Sequence, residues 1–270
     1  NIRLPIIIRV VMNLEISKQA LQPFIMFNEG IPYHPAITLY PVKMKNIIEF
    51  QQYQMALTVR KNSIFHDKDI LKADYWDFIK YACRNGELAA KYDMPLLPFY
   101  YDFILGMLQL CCGSDAVIQH NTATLDISIN DVPITNKRFD DIRKIIIMQN
   151  DIDFDIDEFI NIDTIRALEH AKEFEAKKHK EKSEIEDYID SLIISMNITE
   201  EYVSNMTIRK FWRYIKRINK HEEYTACRSG EMSGMVTFKE PVQHWMTSIE
   251  SIDEYENLKT DEDELRSKIE

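Results

Sequence analysis

The sequence predicts a mainly α-helical protein, and three observations carry that expectation. Only 6 of the 270 residues are glycine, too few for the many tight turns of a sandwich or barrel. Apolar residues recur at helical spacing, as in Tyr75, Phe78, Ile79 and Ala82 at i, i+3, i+4 and i+7. The period switches to two around Thr124–Ile129, where Leu125, Ile127 and Ile129 share one side. The expected architecture is therefore a helical protein with a small β-hairpin-containing (β-β-α) insert and a C-terminal helical subdomain.

The chain opens on the apolar run IRLPIIIRVVM, too short to span a bilayer and without a small-residue cleavage site. Met12 reads as an initiator, with residues 1–11 as an extension ahead of it. Residues 13–42 are punctuated by Pro23, Pro32, Pro35 and Pro41, with a strand at Ala36–Tyr40 that Pro41 ends. Residues 42–59 favour helix, although Gln54 interrupts the stripe of Ile47, Phe50 and Leu57. Asp74 is placed to cap the helix YWDFIKYACRN. The block PLLPFYYDFILGMLQLCC carries Pro95, Pro98, Asp102 and Gln109, which makes it a buried core helix from about Phe99 to Cys112 rather than a membrane span.

The β-β-α insert is placed at residues 116–150. Asn130-Asp131 is its two-residue turn and VPIT its second strand. Val117-Ile118 offers a further edge strand, and a helix follows from about Lys137 to Met148, with Phe139, Ile142, Ile145 and Ile146 inward. DIDFDIDEFINID then reads as an edge strand or extended joint, and one long helix is expected from Thr164 to about Met196. Its middle, KEFEAKKHKEKSE, has no apolar stripe past Phe174, as a solvent-bridging helix would. The domain junction is placed there: an N-terminal domain over 12–175, a C-terminal helical subdomain over 176–249, and an acidic tail over 250–270.

In the C-terminal part a short helix follows Thr199, and Thr207 caps a stronger one. The latter has an apolar face of Ile208, Phe211, Trp212, Ile215 and Ile218 and a basic face of Arg209, Arg213, Lys216 and Lys220. After GEMSG, Met235–Phe238 can extend as a strand and Pro241 suits the first position of a helix. Val242, Trp245, Met246 and Ile249 then fall at i, i+3, i+4 and i+7. That predicts a small amphipathic helix docking on a groove of the same chain or of a partner.

Composition and motifs exclude several functions. With 33 Lys+Arg against 44 Asp+Glu the net charge is −11, so the chain as a whole repels phosphate backbones. The basic face has no interleaved aromatic, and the acidic tail or an acidic partner protein suits it better than nucleic acid. The cysteines Cys83, Cys111, Cys112 and Cys227 form no C-x-x-C pair, which reads as a reduced protein without a zinc site. Ser233 lies in G-x-x-S-G, neither a nucleophile elbow nor a phosphate loop. Counting a calcium loop from Asp151 puts Ile156 and Ile162 where Gly and Glu are required. His221-Glu222 begins H-E-x-x but continues to Thr225. No catalytic, metal or cofactor residue is assigned, and no cofactor is expected.

ITLYPVKMKNIIEFQQY (Ile37–Tyr53), leading to ILKADYWDFIKYA, and SLIISMNITEEYVSNMTIRKFWRYI (Ser191–Ile215) form a further pattern. The latter is a short helix opened by Thr-Glu-Glu, a Met-Thr step and an aromatic-rich helix. It resembles the C-terminal pattern of phage tail assembly chaperones and related tail-module proteins from phages and prophages of Gram-positive bacteria. The first segment resembles N-terminal stretches of the same group. The resemblance implies a non-enzymatic role in the host cytoplasm, or in the virion: binding a tape-measure, tube or baseplate subunit, with no membrane partner. Phe211, Trp212, Ile215, Val242, Trp245, Met246 and Ile249 are the expected partner contacts. A structural virion component, or a nucleic-acid-binding regulator using Arg209, Arg213, Lys216 and Lys220, are the alternatives.

Overall fold

The computed structural model describes residues 16–154, 183–234, 236–238 and 241–249. They fall into two compact units: residues up to 154 together with Thr207–Arg209, and the remainder from 183 onward. The protein is mainly helical with one two-stranded and one three-stranded antiparallel sheet, as the sequence predicts.

In the first unit, Ser17 accepts a hydrogen bond from the Ala20 amide and starts α1, Lys18–Phe27. It ends where Asn28 turns left-handed (φ 59°). Pro23 lies inside this helix, which the sequence reading treats as a breaker. Burial of Leu21 and Ile25 offsets the backbone bond that the proline cannot make. A hairpin follows, β1 (Ile31–His34) against β2 (Ile37–Leu39), with an irregularity between Pro32 and His34. Both strands are edges, so Pro32 is tolerated in β1, a strand not expected from the sequence. The strand expected at Ala36–Tyr40 is β2.

The helix expected over 42–59 breaks into a tight turn at Met44–Asn46, α2 (Ile47–Tyr53) and a second turn at Gln54–Ala56. Its stripe fails at Gln54, and so does the regular helix. Four short helices follow: α3 (Lys61–Ile64), α4 (Lys68–Lys72), α5 (Tyr75–Arg84) and α6 (Gly86–Lys91). Then comes the core helix α7, Tyr100–Cys111. In α7 the side chains Tyr100, Phe103, Ile104, Met107, Leu108 and Cys111 are buried. Gly106 lets α2 approach, since a Cβ there would sit 2.5 Å from the Tyr53 ring. Asp74 occupies the N-cap position of α5 but makes no cap bond with its side chain, contrary to expectation. Its carboxylate accepts instead from the Asn136 amide at 2.7 Å, which also donates to Asp77 at 2.6 Å.

The second sheet is β3 (Ile118–His120), β4 (Ile127–Ile129) and β5 (Val132–Pro133), in that order and antiparallel. Asn130 (φ 48°) and Asp131 (φ 64°) make its tight turn, as their sequence suggests. Thr135 then caps α8, Asn136–Asn150, by accepting from the Arg138 amide. Residues 151–154, the described part of the stretch expected as an edge strand or extended joint, form no strand. Asp151 ends the helix in the left-handed region (φ 56°), and Asp155 and Asp157 lie outside the described residues.

Helix α8 supplies core and polar clamps together. Its Phe139 stacks on Trp76 (4.7 Å, 22°) and Tyr75 (6.2 Å, 9°) of α5. Arg143, 4% exposed, lies 3.5 Å over the Tyr75 ring and donates through Nε to the Leu57 carbonyl at 2.7 Å. Tyr75 in turn donates to the Ala56 carbonyl (2.9 Å) and accepts from the Val59 amide (3.1 Å). Gln149 Nε2 donates to the Glu29 and Leu39 carbonyls, and Asn150 Oδ1 accepts from the Val42 amide.

In the second unit, α9 spans Ile185–Met196. Glu184 is extended (φ −83°, ψ 166°) and forms a capping box with Asp187. The expected helix from Thr164 therefore does not run through Glu184 into α9, and residues 164–182 lie outside the described residues. Thr199 caps α10 (Glu200–Asn205) through the Tyr202 amide, as expected. α11 runs for 25 residues, Ile208–Met232, past Lys220, the last residue named on its expected faces, and through Gly230. Residues 1–11 and 250–270 lie outside the described residues.

Arg143→Ala should cost about 3 kcal/mol in urea unfolding, since it strands a buried carbonyl and opens a gap under Tyr75. Asp131→Gly should raise stability by about 0.5–1 kcal/mol, because glycine adopts its positive φ without strain.

Candidate interaction surface

Helix α11 is amphipathic, and the structure separates its two faces. Ile208, Phe211 and Ile215 are 2%, 0% and 7% exposed. Two expected partner contacts, Phe211 and Ile215, are thus covered within the chain. Trp212 is half-buried and meets Phe211 edge-on at 5.2 Å and Tyr188 of α9 at 5.3 Å. Of the basic set, Arg209 donates to the Ile25 carbonyl at 3.3 Å. Lys216 is exposed, and Arg213 is half-buried.

At 100° per residue, Arg213, Arg217, Lys220 and Tyr224 line one stripe of α11, opposite Phe211 and Ile215. A strap from the C-terminal side lies on that stripe. Arg217 donates to the carbonyls of Trp245 and Thr247, and Lys220 donates to the Ser248 carbonyl at 2.6 Å. The His221 ring packs on Trp245 at 5.0 Å, and Tyr224 on His244 at 5.0 Å.

The strap is not the expected amphipathic helix. Residues 241–249 form a turn, with the Thr247 amide and hydroxyl both donating to the His244 carbonyl. The Met246 amide donates to His244 Nδ1 at 3.2 Å. The segment is too short to nucleate a helix on its own, and His244 offers its backbone a competing set of partners. Residues 236–238 are likewise not a strand. Val242, Trp245 and Ile249 are half-buried, and Met246 is 66% exposed. The expected docking therefore happens within the chain, through carbonyl groups on cations and ring contacts, on the basic stripe rather than an apolar groove.

Apolar surface remains bare elsewhere on this unit. Ile194 and Met232 are each 80% exposed, Tyr202 54% and Phe238 37%. Sequence reasoning picked none of these four, and among the expected contacts only Met246 of the strap is exposed. Periodicity marks the side of a helix that is buried, and Ile194 sits among apolar neighbours that hide it. Arg217 was also missed, although its spacing of four from Arg213 places it on the stripe that holds the strap.

Among the described residues, no three or more His, Cys, Asp or Glu side chains are grouped to hold a metal, and no helix is long and apolar enough to cross a membrane. All four cysteines are free. Burial pushes the Cys112 thiol up to about 12, and Cys111 is raised further by burial beside it. A thiol so raised stays protonated and unreactive at neutral pH. Fold and surface together define a helical unit with a pinned strap and bare apolar side chains.

Residues 176–250 match the family model described as YomV second domain, a phage-derived family. The match takes in α9, α10, α11 and the strap. No curated protein and no solved structure matches the chain.

Arg217→Ala should loosen the strap while leaving the fold intact. Limited proteolysis within 236–249 should speed up several-fold, and the unfolding midpoint should move by less than the equivalent of about 1 kcal/mol.

Proposed function

We propose that this is a phage-encoded, non-enzymatic binding protein that covers an apolar surface of another phage protein during tail morphogenesis, in the manner of an assembly chaperone. The observation that carries the reading is the bare apolar set Ile194, Tyr202, Met232 and Met246 on the second unit. Exposed apolar side chains that gather into one patch mark contact surfaces, and we take these four to form one. The match of residues 176–250 to a phage-derived family supports the phage setting. The resemblance of Ser191–Ile215 to tail assembly chaperones supports the tail setting.

The partner would be a tape-measure, tube or baseplate subunit offering an apolar helix. An apolar contact of this kind is driven by area removed from water. Service as a structural virion component uses the same surface and differs in whether the protein stays in the particle. The basic helix carries a weaker nucleic-acid reading, because Arg217 and Lys220 already hold strap carbonyls.

Co-expression with the tail proteins of the same phage should yield a complex that survives 0.5 M salt, as an apolar contact does and a phosphate contact does not. Ile194→Asp and Met232→Asp, both at exposed positions, should keep the fold by circular dichroism and weaken that complex about tenfold or more. Complex formation unaffected by both substitutions would overturn the reading.

A further inference from the structure

The strap seats a peptide main chain on cations without cancelling their charge. Arg213, Arg217 and Lys220 follow one stripe of α11 and Lys216 flanks it, with no acidic residue between Thr207 and His221. The strap, residues 241–249, reads PVQHWMTSI and carries no Asp or Glu. Its Trp245 and Thr247 carbonyls accept from Arg217, and its Ser248 carbonyl accepts from Lys220 at 2.6 Å. These oxygens take up donors but are neutral. Among the described residues, no carboxylate pairs with Arg213, Lys216, Arg217 or Lys220. The strap is also lightly held, since none of its residues is fully buried and Met246 is 66% exposed. A segment with so little buried surface opens at low cost.

We propose that the strap is a displaceable cover, and that its place on Arg217 and Lys220 is taken by an acidic peptide segment of a partner protein. A carboxylate presents oxygens to the same donors with a full negative charge, and it engages a guanidinium through two of them at once. Arg213 lies seven residues before Lys220 on α11, about 10 Å at the helical rise. An extended segment spans that in about three to four residues, so neighbouring carboxylates of one segment meet Arg213, Lys216, Arg217 and Lys220 together. Each exposed pair is weak alone, and several on one segment add through their shared tether. Two observations favour a peptide over nucleic acid as the occupant. The strap shows that a peptide main chain fits this stripe. The net charge of −11 repels a long phosphate polymer from the chain as a whole.

The test uses the full chain, with a labelled oligo-glutamate peptide as the probe at low salt. The peptide should bind, and saturating it should speed chymotrypsin cleavage within 241–249 several-fold, because the strap is released. Lys216→Gln, at an exposed position outside the strap contacts, should weaken binding about threefold. Trp245→Ala removes the ring contact with His221 and should tighten binding several-fold with the circular dichroism unchanged. Absence of binding by both the parent and Trp245→Ala would overturn the proposal. So would binding that leaves strap cleavage at its original rate, since peptide and strap would then sit in different places. Tighter binding of a single-stranded DNA of equal charge would assign the stripe to nucleic acid and likewise overturn it. The probe contains no tail protein, so these results stand or fall separately from the reading of the apolar surface.

Discussion

The first unit is organised by the polar side chains of α8 that reach buried backbone. A loop without regular structure carries amides and carbonyls that must be satisfied when water is removed. Arg143 and Tyr75 satisfy Leu57, Ala56 and Val59. Gln149 and Asn150 satisfy Glu29, Leu39 and Val42. The Val42 carbonyl then accepts from the Ile208 amide, and Lys43 bridges Thr207. One helix therefore fixes the irregular 54–60 stretch, the first hairpin and residues 207–209. A buried guanidinium is costly unless its charge and donors are met. Here the Tyr75 ring face lies against its charge and the Leu57 carbonyl takes its Nε donor.

The second unit works by a different economy. Its apolar face is sealed by Phe211 and Ile215, and its basic stripe holds a strap by main-chain carbonyls. Carbonyl recognition by cations is indifferent to side-chain identity, so the strap's own side chains are free to face outward. Met246 does so, with Val242, Trp245 and Ile249 half-covered. The result is a long helix with a strap pinned along one stripe and Met246 presented outward.

Much of the fold was legible because local signals and tertiary packing agree. The stripe of Tyr75, Phe78, Ile79 and Ala82, the Asn130-Asp131 turn, the Thr199 cap and the core helix at Tyr100–Cys111 all follow directly from residue spacing. Failures occurred where tertiary contacts overrule local preference. Pro23 sits inside α1 because Leu21 and Ile25 are buried around it. Asp74 leaves its cap for Asn136, sixty-two residues away. The strap was the clearest loss: Val242, Trp245, Met246 and Ile249 have helical spacing, yet nine residues with a self-bonding His244 form a turn. The surface itself was barely legible, because exposure of Ile194 and Met232 depends on what packs around them, and Arg143's role depends on a ring sixty-eight residues earlier.

The central claim is that the bare apolar side chains of the second unit are covered by a phage partner. Oxidative footprinting of methionines reads that directly, since Met232 and Met246 are 80% and 66% exposed while Met44 and Met107 are 3% and 0%. In the protein alone, Met232 and Met246 should oxidise rapidly and Met44 and Met107 slowly. In the complex formed with tail proteins of the same phage, Met232 and Met246 should become as protected as the buried pair. Oxidation of Met232 and Met246 at the same rate in both samples would contradict the account.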